Sequence, residues 1–401
     1  MIGSWLSSLF YSTFPQTFAK TASLSCSSRF VLQWHLTDAC NLRCRHCYES
    51  DAGKNVIARD RFFASLRQCH QLVSNLQRNH PEVSLRCELR LTGGEPLLHP
   101  DFFDLLECCG NESSWLDISI LTNGTLVTPA IARRIAVAKP LYVQVSIDGA
   151  EAMHDGIRGK GSFAAAANGI SSMRALDIPV SLAFTAHRAN TSDISTVAEF
   201  AAKVGVRRIW ADRMIPAGRG SAFENELLSP EETRSFFQLM RHSCDEIHTR
   251  YGRNTDMSFH RALQFHEGRG KPYRCSAGRS LLTVLADGTI VPCRRLPVPC
   301  GSIEDNGLFN AFHDNPFIRS LREFRGPARG CEECLYQGLC EGGLRCLSYA
   351  IHGDPFRADP GCWIAHHSPG KQSEAHIIPA ITVPPMRYYP AKSSCLPTDR
   401  H

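Results

Sequence analysis

From about Arg29 onward, apolar runs alternate with segments in which apolar positions recur every three or four residues. The apolar runs fall at residues 30–36, 85–91, 116–121, 141–147, 180–184 and 208–214. The helical periodicity falls at 59–76, 101–109, 129–138, 163–176 and 194–204. The runs are continuous rather than alternating, as strands covered on both faces require. A β-α unit repeated in this way implies parallel strands joined by right-handed crossovers. The predicted fold class is α/β, a partial (β/α)6 TIM-like barrel.

Beyond Met240 the pattern changes. Helical text runs to about Phe265, followed by short segments rich in Gly, Pro and Cys. Too few long apolar runs remain there for a large core, so metal sites are expected to hold this second region together. From about Ser368 the chain is rich in Pro and Ser and reads as a flexible tail. The expected division is an unassigned segment at 1–27, the barrel at 28–235, a linker helix and Cys-rich domain at 236–367, and the tail at 368–401. Ligands of such barrels sit at the carboxyl ends of the strands. Four motifs lie there: residues 38–48 after the first strand, 92–96 after the second, 122–125 after the third, and Asp148-Gly149 after the fourth.

Composition excludes some classes. A net charge of +5 on 401 residues, with no basic run, gives no reason to expect nucleic acid. No apolar run reaches the length of a membrane span. The first ten residues are apolar but lack the basic flank of a signal peptide, so a cytoplasmic location is expected. Cysteine is the outlier, at 18 residues in clusters. In a chain this long such clustering points to metal rather than to disulfides.

Cys40, Cys44 and Cys47 form a C-x3-C-x2-C array. Three thiolates can hold a four-iron cluster and leave one iron without a protein ligand. A zinc knuckle or three buried thiols is the competing reading of the spacing alone. With Leu91–Pro96 (LTGGEP) one strand later, the text resembles the radical S-adenosylmethionine (SAM) superfamily, over roughly residues 28–214. His46 departs from the pattern, since the family usually has an aromatic residue before its third cysteine. The resemblance implies that SAM chelates the open iron of a [4Fe-4S] cluster. It implies reductive cleavage of SAM to a 5′-deoxyadenosyl radical that takes a hydrogen atom from substrate. It also implies SAM-binding positions at Gly93, Gly94, Glu95, Pro96, Asn123, Ser146, Asp148 and Arg158. The glycines would let backbone approach a ligand closely, and Glu95 would face the methionine amino group. His154 reads either as lining the site or as decorating a loop, with the loop preferred.

The later cysteines resemble the SPASM domain, a seven-cysteine extension that carries two auxiliary four-iron clusters, over about residues 273–363. By that resemblance Cys275, Cys293 and Cys346 would serve the nearer cluster, and Cys331, Cys334, Cys340 and Cys362 the other. Five residues separate Cys340 from Cys346 where the family typically has three. Cys300 is a further candidate for the nearer cluster. Cys69, Cys87, Cys108, Cys109 and Cys244 read as small buried hydrophobes, and Cys26 and Cys395 are unassigned. Arg213 and Arg219 read either as binders of a SAM carboxylate or acidic leader peptide, or as a basic loop. Arg294 and Arg295 read either as tuners of an adjacent cluster or as surface.

Local phrasing also loosely resembles maturases named for thio(seleno)oxazole modification. The resemblance therefore implies maturation of a ribosomally made peptide, for example by a thioether or other cross-link. The expected partners are a peptide or protein substrate, an electron donor such as flavodoxin or ferredoxin, and a separate leader-peptide-binding protein. Competing readings are an anaerobic sulfatase-maturating enzyme that makes formylglycine, a small-molecule role such as cofactor biosynthesis, and a non-catalytic zinc or iron–sulfur protein.

Overall fold

Nine strands hydrogen-bond in the order β7-β6-β5-β4-β3-β2-β1-β8-β9. They are β1 (Cys26–His35), β2 (Val83–Thr92), β3 (Leu116–Thr122), β4 (Tyr142–Ser146), β5 (Val180–Ala186), β6 (Arg208–Arg213), β7 (Asp256–Ser258), β8 (Leu281–Val284) and β9 (Ile290–Val291). All neighbours are parallel except β8 and β9, which form an antiparallel pair. This computed structural model describes residues 26–49, 55–268, 272–305 and 307–364. Residues 1–25 of the expected N-terminal segment, the tail and Cys395 lie outside these, as does the side chain of Cys26, while the backbone of residues 26 and 27 begins β1.

The six predicted strands are β1–β6. The five predicted helices are α1 (Arg59–Asn79), α2 (Phe102–Asn111), α3 (Pro129–Val137), α5 (Ser162–Arg174) and α6 (Ile194–Lys203), with α4 (Glu151–Arg158) set before α5. The core lies between strands and helices. Trp34 of β1 is fully buried and stacks on Phe62 of α1, ring centroids 4.5 Å apart. Leu89, Leu91, Ile120, Val143, Val145 and Leu182 extend the same layer. Each such side chain contributes about 1.5–3 kcal/mol through burial. The other face of the sheet carries polar groups. Glu88 of β2 accepts hydrogen bonds from Arg90, Ser119 and Tyr142 at 2.7, 3.0 and 2.7 Å.

The helix α7 (Pro230–Tyr251) opens on a capping box in which Ser229 and Glu232 satisfy each other's backbone N–H, with Pro230 in the first turn. Its end corrects the expectation of helical text to Phe265. Gly252 takes a positive φ of 76°, the chain turns, and β7 follows. The Cys-rich region is joined to the barrel rather than standing apart. Its first strand, β8, extends the sheet beside β1 in register from Val31↔Leu281 to Trp34↔Val284. The remaining elements are α8 (Gly307–Asp314), α9 (Pro316–Glu323), α10 (Gln337–Cys340) and α11 (Arg345–His352). None of the described helices is long and apolar enough to cross a membrane.

Candidate active site

Because β1 to β4 are consecutive in the sheet, the segments that leave their carboxyl ends converge. The Gly93-Gly94-Glu95 turn is laced to the cysteine loop. Gly94 N–H donates to the Thr37 carbonyl at 2.7 Å, and Glu95 N–H to the Ala39 carbonyl at 2.8 Å. A Cβ at Gly93 or Gly94 would meet Thr37 or Ala39 oxygen at 2.4 Å. A close approach to the chain's own cysteine loop therefore demands glycine at both positions. Pro96 is buried at the start of a single 3-10 turn, Pro96–Leu98.

Glu95 is fully buried. Its Oε1 accepts from Thr122 Oγ1 at 2.7 Å and Leu97 N–H at 3.3 Å, and its Oε2 from Asn123 N–H at 2.8 Å. Burial raises its carboxyl to about 7 against these hydrogen bonds. Oε2 retains capacity for one further donor. The Asn123 side chain bridges to the cysteine loop. Its Nδ2 donates to Asn41 Oδ1 at 2.9 Å and points at Cys40 Sγ at 4.0 Å.

The three cysteines share one neighbourhood, since Cys44 and Cys47 both act electrostatically on Cys40. N–H groups aim at the sulfurs: Leu42 N–H at Cys40 Sγ, 3.5 Å, and Arg158 Nη1 at Cys44 Sγ, 3.6 Å. Donors so placed suit sulfurs that carry negative charge. Burial pushes the Cys40 and Cys47 thiols above their ordinary value, and ligation by a metal would offset that by replacing the proton. This donor set fits an iron–sulfur cluster.

A buried cluster that the sequence reading did not assemble stands behind it. Asp148 Oδ2 lies 2.8 Å from His46 Nε2 and accepts from Arg158 Nε at 2.5 Å, while Oδ1 accepts from Thr185 N–H at 2.9 Å. Burial opposes the charge, yet Arg158 and His46 hold Asp148 far below the usual carboxylate range. His46 thus has a polar partner at the position where an aromatic residue was expected. His154 is not a loop decoration. It is buried in α4, and its Nδ1 accepts the Asp148 N–H at 3.1 Å. Ser146 is half-buried at the end of β4. Glu49, next to the third cysteine's loop, is raised to about 7 by burial and by Asp38. It lies 3.6 Å from His35 Nδ1.

The later cysteines separate into two neighbourhoods. Cys346 lies within the fields of Cys293 and Cys275. Cys340 lies within those of Cys362, Cys331 and Cys334. Among the described residues no thiol acts on Cys300 in this way. Burial alone raises it to about 12, and its thiol donates to the Val298 carbonyl at 3.2 Å. The long Cys340–Cys346 spacing has a structural use. Glu341 adopts φ +54°, and its buried carboxylate takes Arg279 at 2.7 Å and Arg345 at 3.3 Å. A Cβ at Gly343, φ +83°, would lie 2.6 Å from Asp359 Cβ.

Two arginine readings change. Arg213 is buried, and both of its terminal nitrogens are taken by Asp359, so it is not part of an exposed basic loop. Arg295 pairs with Asp212 and donates to the Arg213 carbonyl, so it is not a free surface group. Arg219 Nε donates to the Cys44 carbonyl at 3.2 Å. Arg294 lies over the Tyr48 ring, 5.4 Å from its centroid, linking the loops that hold Cys47 and Cys293. Cys69, Cys87 and Cys109 are buried as expected, Cys108 only half-buried.

A parallel partial barrel with a three-thiol loop at the carboxyl end of its first strand, and two further thiol groups beyond, defines an iron–sulfur enzyme. The chain belongs to the radical SAM superfamily: the Radical SAM superfamily model matches residues 34–201, and the SPASM iron-sulfur cluster-binding domain matches residues 275–335. It is 28% identical over 357 residues to the AdoMet-dependent heme synthase of Methanosarcina barkeri, covering 85% of this chain and 97% of the relative. It is 28% identical over 355 residues to the mycofactocin maturase MftC of Mycobacterium tuberculosis, covering 86% of each. Among solved structures, native anSMEcpe with bound AdoMet and Cp18Cys peptide aligns at TM-score 0.66 and 16% identity, over 84% of this chain and 94% of that one. Streptococcus suis SuiB bound to S-adenosylmethionine aligns at TM-score 0.66 and 16% identity, over 84% and 77%. The cofactors are S-adenosylmethionine and a [4Fe-4S] cluster, with auxiliary iron–sulfur clusters bound by the SPASM domain.

Proposed function

We propose that this radical SAM enzyme matures a ribosomally made peptide, starting from abstraction of a hydrogen atom. The observation that carries the reading is the similarity to mycofactocin maturase, which runs through both the barrel and the Cys-rich region. The chemistry supplied by the bound cofactors is one-electron cleavage of SAM to a 5′-deoxyadenosyl radical. In this reading Cys40, Cys44 and Cys47 hold the cluster that binds SAM. The GGEP turn and Asn123 position the methionine end, with Glu95 Oε2 toward its amino group. Ser146, Asp148 and Arg158 line the same side, and the Asp148 cluster fixes Arg158 against Cys44. Cys275, Cys293 and Cys346 hold one auxiliary cluster. Cys331, Cys334, Cys340 and Cys362 hold the other, which all-cysteine ligation closes.

A barrel region at 28–235 followed by a linker helix and auxiliary domain at 236–367 belongs to this proposal. So do a flavodoxin- or ferredoxin-type donor, a separate leader-binding protein and a cytoplasmic location. The test is anaerobic incubation of reconstituted enzyme with SAM, reductant and candidate precursor peptides encoded beside its gene. A peptide-dependent rise in 5′-deoxyadenosine with a mass change in that peptide is expected. A second reading, action on a tetrapyrrole precursor, is favoured by the similarity to heme synthase. Stimulation by an iron porphyrin precursor of haem and by no peptide would replace the first reading with this one.

A further inference from the structure

On the side of the barrel away from the cysteine loop, three side chains of different chemistry meet. Cys244 and His248 lie one turn apart on the same face of α7, and Asp256 begins β7. Cys244 Sγ is 3.8 Å from His248 Nε2 and 3.4 Å from Asp256 Oδ1, and His248 Nε2 is 3.7 Å from Asp256 Oδ1. A tetrahedral zinc ion, with bonds of about 2.3 Å to sulfur and about 2.0–2.2 Å to nitrogen or oxygen, sets ligand–ligand edges of about 3.4–3.6 Å. The three separations match those edges to within a few tenths of an ångström. Among the described residues this is the one such set of His, Cys, Asp or Glu atoms that converges so tightly.

We propose that Cys244, His248 and Asp256 form a mononuclear zinc site, distinct from the iron–sulfur sites, with a fourth position open to water. Cys244 is buried and Asp256 exposed, so the site has a sulfur inside and an entry from solvent. Binding replaces the Cys244 thiol proton, which leaves to solvent. His248 binds through the lone pair of Nε2, which gives up its 2.9 Å contact with the Thr255 carbonyl, and the single ring proton then resides on Nδ1, so that this ligand releases no proton. The placement indicates a structural role. Strand β7 has three residues and is the edge of the sheet, and Asp256 pairs with Arg208 at the amino end of β6. The amino ends of barrel strands serve stability, whereas chemistry occupies the opposite end. The ion would clip this short edge strand to the last turns of α7.

The test uses the full chain with its iron–sulfur clusters reconstituted first, then exposed to zinc sulfate and desalted. Wild type is expected to retain about one zinc per chain, with an X-ray absorption signature of one sulfur at about 2.3 Å and otherwise nitrogen or oxygen. Asp256→Ala and His248→Ala are expected to lose this zinc with iron content unchanged. Zinc is also expected to raise the thermal midpoint of wild type and not of the variants. The exposed position of Asp256 makes its variant the one that keeps the fold intact. Wild type that retains no zinc overturns the proposal. So does zinc that persists in Asp256→Ala and His248→Ala, which would place it on cluster cysteines.

Discussion

Arg213 of β6 donates from both terminal nitrogens to the two carboxylate oxygens of Asp359, at 2.7 and 2.6 Å, and both side chains are buried. Asp359 also accepts the backbone N–H groups of Leu344 and Gly361, each at 2.9 Å. A strand of the barrel is thereby bound to the segments at Leu344 and Gly361, which adjoin Cys346 and Cys362. Removing one partner leaves a buried charge, which costs about 3–5 kcal/mol. Arg213→Ala is expected to lower the anaerobic thermal midpoint sharply and to reduce iron content. The double variant Arg213→Met, Asp359→Leu should recover part of the stability, because neither charge is left unpaired.

Glu95 supplies a pH dependence. Its carboxyl ordinarily titrates near 4.5 and is raised to about 7 by burial. The folded chain therefore takes up a proton that the unfolded chain releases. Below about 4.5 the group contributes no difference; between about 4.5 and 7 its ionisation progressively destabilises the fold; above 7 the loss is complete. In the proposed function Glu95 faces the SAM amino group, and its negative charge is fully present only above that range. The ratio of wild-type to Glu95→Gln affinity for SAM should grow about tenfold per pH unit up to about 7 and then level off. Calorimetric titration from pH 6 to 8.5 checks this, and the ratio cancels the titration of SAM itself.

The two auxiliary thiol groups separate experimentally. Cys346→Ala and Cys362→Ala should each lose about four irons, from different clusters. Cys300→Ser should keep the full iron content, since its thiol is held by the Val298 carbonyl. Iron and sulfide analysis with Mössbauer spectroscopy reads each case.

Arg158 joins the Asp148 carboxylate to the Cys44 sulfur. Hydrogen bonds and positive charge near a cluster sulfur raise its reduction potential. Arg158→Gln is expected to shift the SAM-binding cluster to a more negative potential. Asp148→Asn should loosen Arg158 and shift it less. Anaerobic redox titration followed by paramagnetic resonance distinguishes the two.

Much of this was legible in the chain. The six main strands carry long apolar runs, and the ends of α3, α7 and α9 are written in Thr128-Pro129, Ser229-Pro230 and Asn315-Pro316. The motifs at strand ends fell where parallel topology collects them. What escaped was short or paired at long range. Strands β7, β8 and β9 have three, four and two residues, too few for periodicity. Helix α4 buries only His154 and Ile157, so its apolar face is faint. Arg213 looked like one of several basic loop residues because its partner lies 146 positions away. His46 was visible as a departure from the family pattern, but its partner Asp148, 102 positions on, was not.

The measurement that bears most directly on the central claim is 5′-deoxyadenosine formation by the variant Cys40→Ala, Cys44→Ala, Cys47→Ala, reconstituted without oxygen and given SAM and dithionite. The account predicts that this variant binds about four fewer irons than wild type, keeps its auxiliary clusters, and forms no 5′-deoxyadenosine above background. Formation at the wild-type rate, or an unchanged iron content, would contradict it.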